Sequence, residues 1–189
     1  GTGTLFGSVS KPLVGGVARF DDLKIDKAAD GYTIRATSGS LTAATSTGFS
    51  IVAAAAQRLA FAVQPSNATG GDSIKPGIQV AVRDAFGNTV PGSYSVTLGL
   101  ANNPGGATIS GTVTRGTVSG IATFDDVNVS KIANGYTLKA GTPILDSATS
   151  SAFNVALGPP KRLLFTVEPG DAAAGEILAP SVKVTVTDN

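Results

Sequence analysis

One stretch of this chain occurs twice. Phe20 to Ala36 reads FDDLKIDKAADGYTIRA, and Phe124 to Ala140 reads FDDVNVSKIANGYTLKA. The offset is 124 − 20 = 104 residues, and it holds without a gap from one end to the other. Gly1 falls on Gly105, Phe49 on Phe153, Arg58 on Arg162, Phe61 on Phe165, Pro76 on Pro180 and Asp84 on Asp188. Residues 1–85 thus align with 105–189, and more than a third of the pairs are identical. A fixed period means an array of equal units, which restricts the fold before any strand or helix is assigned. A period of about 100 residues is too long for a solenoid repeat and is the size of one whole sandwich domain.

The chain runs out of phase with its repeat. A unit begins near Gln57 or Lys161, after the stretches Ala53-Ala54-Ala55-Ala56 and Gly158-Pro159-Pro160. The expected organisation is the C-terminal part of one repeat over residues 1–56, a complete repeat over 57–160, and the N-terminal strands of a third over 161–189. Phe86 through Pro104, including the strand expected around Val96-Thr97-Leu98, has no second copy.

Local patterning points to an all-β chain, because no window carries a long amphipathic helical period. Leu59, Phe61 and Val63 alternate with Ala60 and Ala62, and Ile78, Val80 and Val82 alternate with Gln79, Ala81 and Arg83. Alternation of period two puts one set of side chains on each face of a strand. Asp84 to Gly92 reads as a turn, since Gly and Asn accept positive φ and Pro presets the backbone for turning. Further strands are expected at Ser95–Leu100, Thr108–Val118 (one polar strand or two short ones), Gly120–Val129, Gly135–Ala140 and Ser151–Leu157. That makes about seven per unit, the count of a constant-type immunoglobulin sandwich.

The repeated stretch carries a phase problem. Ala122 and Phe124 share a face, and so do Val127 and Val129, but the step from 124 to 127 is odd. A strict strand would put one pair in water, so a bulge or bend is expected at Asp125-Asp126, and likewise at Asp21-Asp22. Tyr136 and Tyr32 follow a glycine at the start of the next strand. A tyrosine there can bury its ring and donate its hydroxyl to backbone upstream.

Val80-Ala81-Val82-Arg83-Asp84-Ala85-Phe86-Gly87-Asn88-Thr89-Val90-Pro91-Gly92 resembles the strand–turn signature of invasin/intimin-type bacterial immunoglobulin-like repeats. Phe61-Ala62-Val63-Gln64-Pro65-Ser66, Asn103-Pro104-Gly105-Gly106-Ala107-Thr108, Gly135-Tyr136-Thr137 and Ser147 to Phe153 are similar to the same tandem repeats of large surface and secreted proteins. The resemblance spans the whole chain. It implies a Greek-key β-sandwich with period 104 and a role as spacer, stalk or fibre on a bacterial exterior. It brings over no catalytic, cofactor or metal residue, because the shared motif contains none. It also implies that Lys with Asn or Asp could form isopeptide staples, as in some bacterial surface domains.

The residue inventory narrows function from a second direction. Lys and Arg total 14 against 13 Asp and Glu, so no basic footprint for nucleic acid or membrane is present. The longest apolar run, Ile51 to Ala56, is far too short to span a bilayer. Cys is absent, which removes disulfides and thiol chemistry, and with no His a Ser-His-Asp triad is impossible. No enzyme, cofactor or metal site is therefore expected. The Asp pairs could attract Ca²⁺, but neighbours on a strand point to opposite faces and no D-x-D-x-D-G loop exists. Proximity of Asp84 or Asp188 would favour the ion. Asn67-Ala68-Thr69 and Asn128-Val129-Ser130 fit the glycosylation sequon, which chance explains in a Ser/Thr-rich chain. Gly105-Gly106 reads as a turn without a helix to make a phosphate site.

Two functional expectations follow. The first is a structural repeat in a bacterial extracellular stalk, adhesin or fibre. Its units are joined by the short linkers Ile51–Ala56 and Leu157–Pro160, and its partners are neighbouring repeats or copies of itself. In a sharper form, the early strands of residues 161–189 in one chain complete the open edge of residues 1–56 in the next; the alternative is that both pieces are cut edges of a longer array. The second is a binding module for a glycan or host protein, for which the unrepeated aromatics Phe86 and Tyr94 are the only candidate patch.

Overall fold

A computed structural model describes residues 2–187. Among them there is no helix, only short strands. The first section holds β1 (Leu5–Phe6), β2 (Lys24–Ile25), β3 (Ala29–Tyr32), β4 (Arg35–Ala36), β5 (Ala44–Thr45) and β6 (Phe49–Ile51). The middle section holds β7 (Arg58–Val63), β8 (Ala68–Thr69), β9 (Ile78–Arg83), β10 (Ser95–Asn102), β11 (Ile109–Ser110), β12 (Thr114–Gly116), β13 (Ile121–Phe124), β14 (Asn128–Val129), β15 (Ala133–Thr142), β16 (Leu145–Thr149) and β17 (Phe153–Ala156). The last section holds β18 (Arg162–Val167) and β19 (Lys183–Thr187).

The eleven strands of the middle section form seven extended segments, four of them broken into two pieces that pair in different places. The order β12-β10-β15-β16-β7 continues at β7 into β9 and β13, while β17 pairs with both β15 and β8. Most pairs are antiparallel; β7 lies parallel to β16 at Asp146↔Arg58, and β8 parallel to β17 at Val155↔Ala68. The apolar faces meet in one core. Ile78, Val80 and Val82 of β9, Phe124 of β13, Leu138 of β15 and Phe153 of β17 are all buried in it. Alternation of period two delivers these residues inward, and their burial is the main stabilising term. The section is therefore all-β and sandwich-like.

The phase problem at Asp125-Asp126 is solved by a bend. Phe124 pairs opposite Ile78 on β9, and after the bend Asn128 pairs opposite Ser110 on β11. Ala122, Phe124, Val127 and Val129 all reach the core as a result. The expected strand over 108–118 is two short pieces, β11 and β12, and 120–129 is likewise divided. β16 was not anticipated: Leu145-Asp146-Ser147-Ala148-Thr149 has little apolar alternation and is a strand because β15 and β7 flank it.

The same pairings recur 104 residues apart. Leu5↔Ile25 and Phe6↔Lys24 become Ile109↔Val129 and Ser110↔Asn128. Ala29↔Ile51 and Tyr32↔Phe49 become Ala133↔Val155 and Tyr136↔Phe153. Arg35↔Thr45 becomes Lys139↔Thr149. At the other end, Leu59↔Val82 and Phe61↔Val80 become Leu163↔Val186 and Phe165↔Val184, with the same register shift following. Tyr136 Oη donates to Lys131 O at 2.9 Å and Tyr32 Oη to Lys27 O at 3.0 Å, both tyrosines being buried, as expected. The cis bonds Lys75-Pro76 and Ala179-Pro180 coincide as well.

Burial does not recur. Phe124 is 0% exposed, but its counterpart Phe20 is 41% exposed; Leu59 is 3% exposed and Leu163 71%. Residues 18–20 are not a strand, although their counterpart is β13. In the middle section β9 pairs with β13, and nothing in the first section does the work of β9.

Candidate interaction surfaces

The repeated Asp pair is a fastening. Asp126 Oδ2 accepts from Thr112 Oγ1 at 2.6 Å and Thr112 N at 3.1 Å; Asp22 Oδ2 accepts from Ser8 Oγ at 2.7 Å and Ser8 N at 3.0 Å. The hydroxyl bond, from Thr112 or Ser8, is the main reason each carboxyl lies below its ordinary range. Arg115 Nη2 adds an ion pair to Asp125 at 2.9 Å and to Asp126 at 3.4 Å. Gly111 lies beneath the Asp126 carbonyl with φ +95°, and a side chain there would strike that backbone. The bend is thus tied to the loop before β12. Among the described residues no three acids converge as a cation site. Asp84 is engaged elsewhere, and Asp188 lies outside the described residues.

Asp84 sits in the turn after β9 and is wholly buried. Its Oδ1 accepts from Phe86 N at 2.9 Å and Asn88 N at 2.8 Å, and its Oδ2 from Asn88 Nδ2 at 2.9 Å. A further donor to Oδ2 is Ala54 N at 2.9 Å, in the linker from the first section. Burial alone would raise this carboxyl; the bonds from Asn88, Ala54 and Phe86 outweigh it and hold the group below its ordinary value. Asn88 also reaches across to the first section. Its Nδ2 donates to Asp26 O at 2.9 Å, and its Oδ1 accepts from Ala28 N at 3.0 Å. Lys27 Nζ donates to Phe86 O at 2.6 Å. Sequence reasoning identified this turn but missed its partners, which lie about 60 residues away and carry no pattern of their own.

Phe86 and Tyr94 do not form one patch. Phe86 is exposed and lines a cleft of about 400 Å³ with Phe6, Lys24, Ile25 and Asp26, between the first and middle sections. Tyr94 is half-buried and packs against the core of the middle section. Of the sequons, Asn67 Oδ1 accepts from Asn154 N at 2.8 Å, and Asn128 lies half-buried within β14. Gly105 packs against Tyr136 Oη, so its role is steric, at the approach of that ring. Lys75 Nζ donates to the Asp125 carbonyl at 2.6 Å and Lys27 Nζ to that of Phe86, neither to a side-chain amide.

Most of the exposed large apolar side chains lie on the flanking sections. Val9, Leu13, Ala18, Phe20, Leu41 and Ala44 line an open hollow of about 290 Å³ in the first section. Leu163, Phe165, Val184 and Val186 are exposed on β18 and β19. Among the described residues no helix is long and apolar enough to cross a membrane. No protein-family model matches this chain, and no curated protein matches it.

Proposed function

We propose that this chain is a structural stretch of tandem immunoglobulin-like repeats. Each is a Greek-key sandwich of about seven strands with period 104, from a bacterial extracellular stalk, adhesin or fibre, and it performs no enzymatic reaction. One observation carries the reading: strand pairings, buried tyrosine bonds and Asp fastenings recur at the sequence offset in sections whose burial differs. A chain selected for a site would concentrate unusual chemistry in one place; this one repeats its scaffold instead.

The open faces extend the proposal. In the middle section the β7–β9 pair covers β13 and β16. Its counterpart, β18–β19, has the same register and an uncovered apolar face. Added to the first section of another copy, it would set Val17 opposite Thr185 and Phe20 opposite Val182, by subtracting or adding 104 to the observed pairs. Each large side chain so covered contributes roughly 1.5–3 kcal/mol. Association between copies through these faces is concentration-dependent. Light scattering over a concentration series tests this: a mass rising above that of one chain, toward elongated particles, is expected, and one chain mass throughout would contradict it. The cleft at Phe86 favours a second reading, a glycan- or host-protein-binding module; glycan binding abolished by Phe86→Ala would support it over a purely structural role.

A further inference from the structure

We infer that the Asp84–Asn88 turn is a locking surface, whose partner is the backbone shoulder Asp26–Lys27–Ala28 of the section before it, and that Asn88 determines the fit. Two groups meet the shoulder and a third meets the linker. The Asn88 carboxamide takes a carbonyl and an amide together, donating to Asp26 O and accepting from Ala28 N. The Phe86 carbonyl takes the Lys27 ammonium. Asp84 takes the linker amide of Ala54. Four contacts from one turn hold the preceding section at two separated places, the shoulder and the linker, so rotation about the linker breaks bonds at one or the other.

Both sides of the lock are rigid for visible reasons. Asp84 receives Phe86 N, Asn88 N and Asn88 Nδ2, which fixes the carboxamide before it reaches across. On the shoulder, Tyr32 Oη donates to Lys27 O, fixing the backbone that presents Lys27 and Ala28. A carboxamide reads only backbone here, so the shoulder needs no particular side chain beyond the lysine. The same shoulder recurs at Ser130–Lys131–Ile132, held by Tyr136 Oη on Lys131 O. There, among the described residues, Ser130 O and Ile132 N carry no hydrogen bond, and all three residues are exposed. The first and middle sections thus both present a seat for one turn of this kind, and locks of this type would make a string of such sections a stiff rod.

The inference stands on hydrogen bonds between two sections and not on the repeat's family or location, so it succeeds or fails separately from the proposed function. The chain has no cysteine, so labels can be placed at will. Spin labels at Ser40→Cys and Ser147→Cys, both exposed positions, report the distance between first and middle sections of the whole chain. One narrow distance is expected. Asn88→Ala removes two cross-section bonds and should lower the closed-to-open ratio on the order of tenfold or more, seen as a broadened distribution. Because Asn88 also braces its own turn, Lys27→Ala serves as the second variant; it lies outside the middle section and should broaden the distribution while leaving that section's melting temperature unchanged. A distribution already broad in the unaltered chain, or one unchanged by both substitutions, would overturn the lock.

Discussion

Asp84 shows how one side chain ties local geometry to the joint between sections. It is wholly buried, yet its carboxyl lies below the ordinary 3.8, because donors from Asn88, Ala54 and Phe86 favour the charged form more than burial disfavours it. A folded-state value depressed below the unfolded one gives stability that is present above about 3.8 and is lost as pH falls through the lower folded-state value. The expected outcome is an unfolding midpoint that drops in acid below about pH 4. In Asp84→Asn, denaturant melts should show a lower midpoint at neutral pH and a flatter acid limb. Arg115 marks the opposite limit. Its pair with Asp125 and Asp126 is substantially exposed, and such pairs contribute little. The Thr112 bonds to Asp126 do more to hold the bend.

Among the elements, the bend between β13 and β14 is the most informative. It was legible because the odd step between Phe124 and Val127 conflicts with the period of a strand, and only a break satisfies both apolar pairs. Replacing both Val127 and Val129, each 1% exposed, by Ala would remove the two apolar side chains that the bend delivers to the core. At roughly 1.5–3 kcal/mol per side chain, the loss is a large part of a domain's roughly 5–15 kcal/mol. Thermal denaturation should show the middle section's transition lost or strongly lowered, while Asp125→Asn leaves it nearly unchanged. β7 and β9 were legible for the same reason, clean alternation. β16 was not, since Leu145-Asp146-Ser147-Ala148-Thr149 acquires its extended form from two flanking strands. β8, two residues long and parallel to β17, has no sequence signal either. The partners of the Asp84 turn were illegible for a related reason: Asp26 and Ala28 contribute only backbone, and backbone groups look alike in every sequence.

The described residues form one closed, sandwich-like section between two open ones. Pairing within the open sections survives without burial: β18 and β19 keep the register of β7 and β9, although Leu163 and Val186 are exposed where Leu59 and Val82 are buried. Hydrogen-bonded register is therefore set locally, and the core is set by assembly of the layers. An uncovered face with its register already formed can accept a matching layer without rearrangement, which is what the proposed array would use. We propose that the face at residues 17–20 accepts the repeat's own hairpin in a defined register. Thr123↔Gln79 in the middle section maps to Arg19 opposite Lys183 in the composite. Antiparallel partners have Cα atoms about 4.5–5.5 Å apart, within reach of a disulfide. The measurement is to mix chains carrying Arg19→Cys with chains carrying Lys183→Cys under mild oxidation. Rapid formation of the 19–183 cross-linked dimer, with little cross-linking when the second cysteine is placed at Thr187 instead, is the predicted result. No cross-link, or equal cross-linking at both positions, would contradict it.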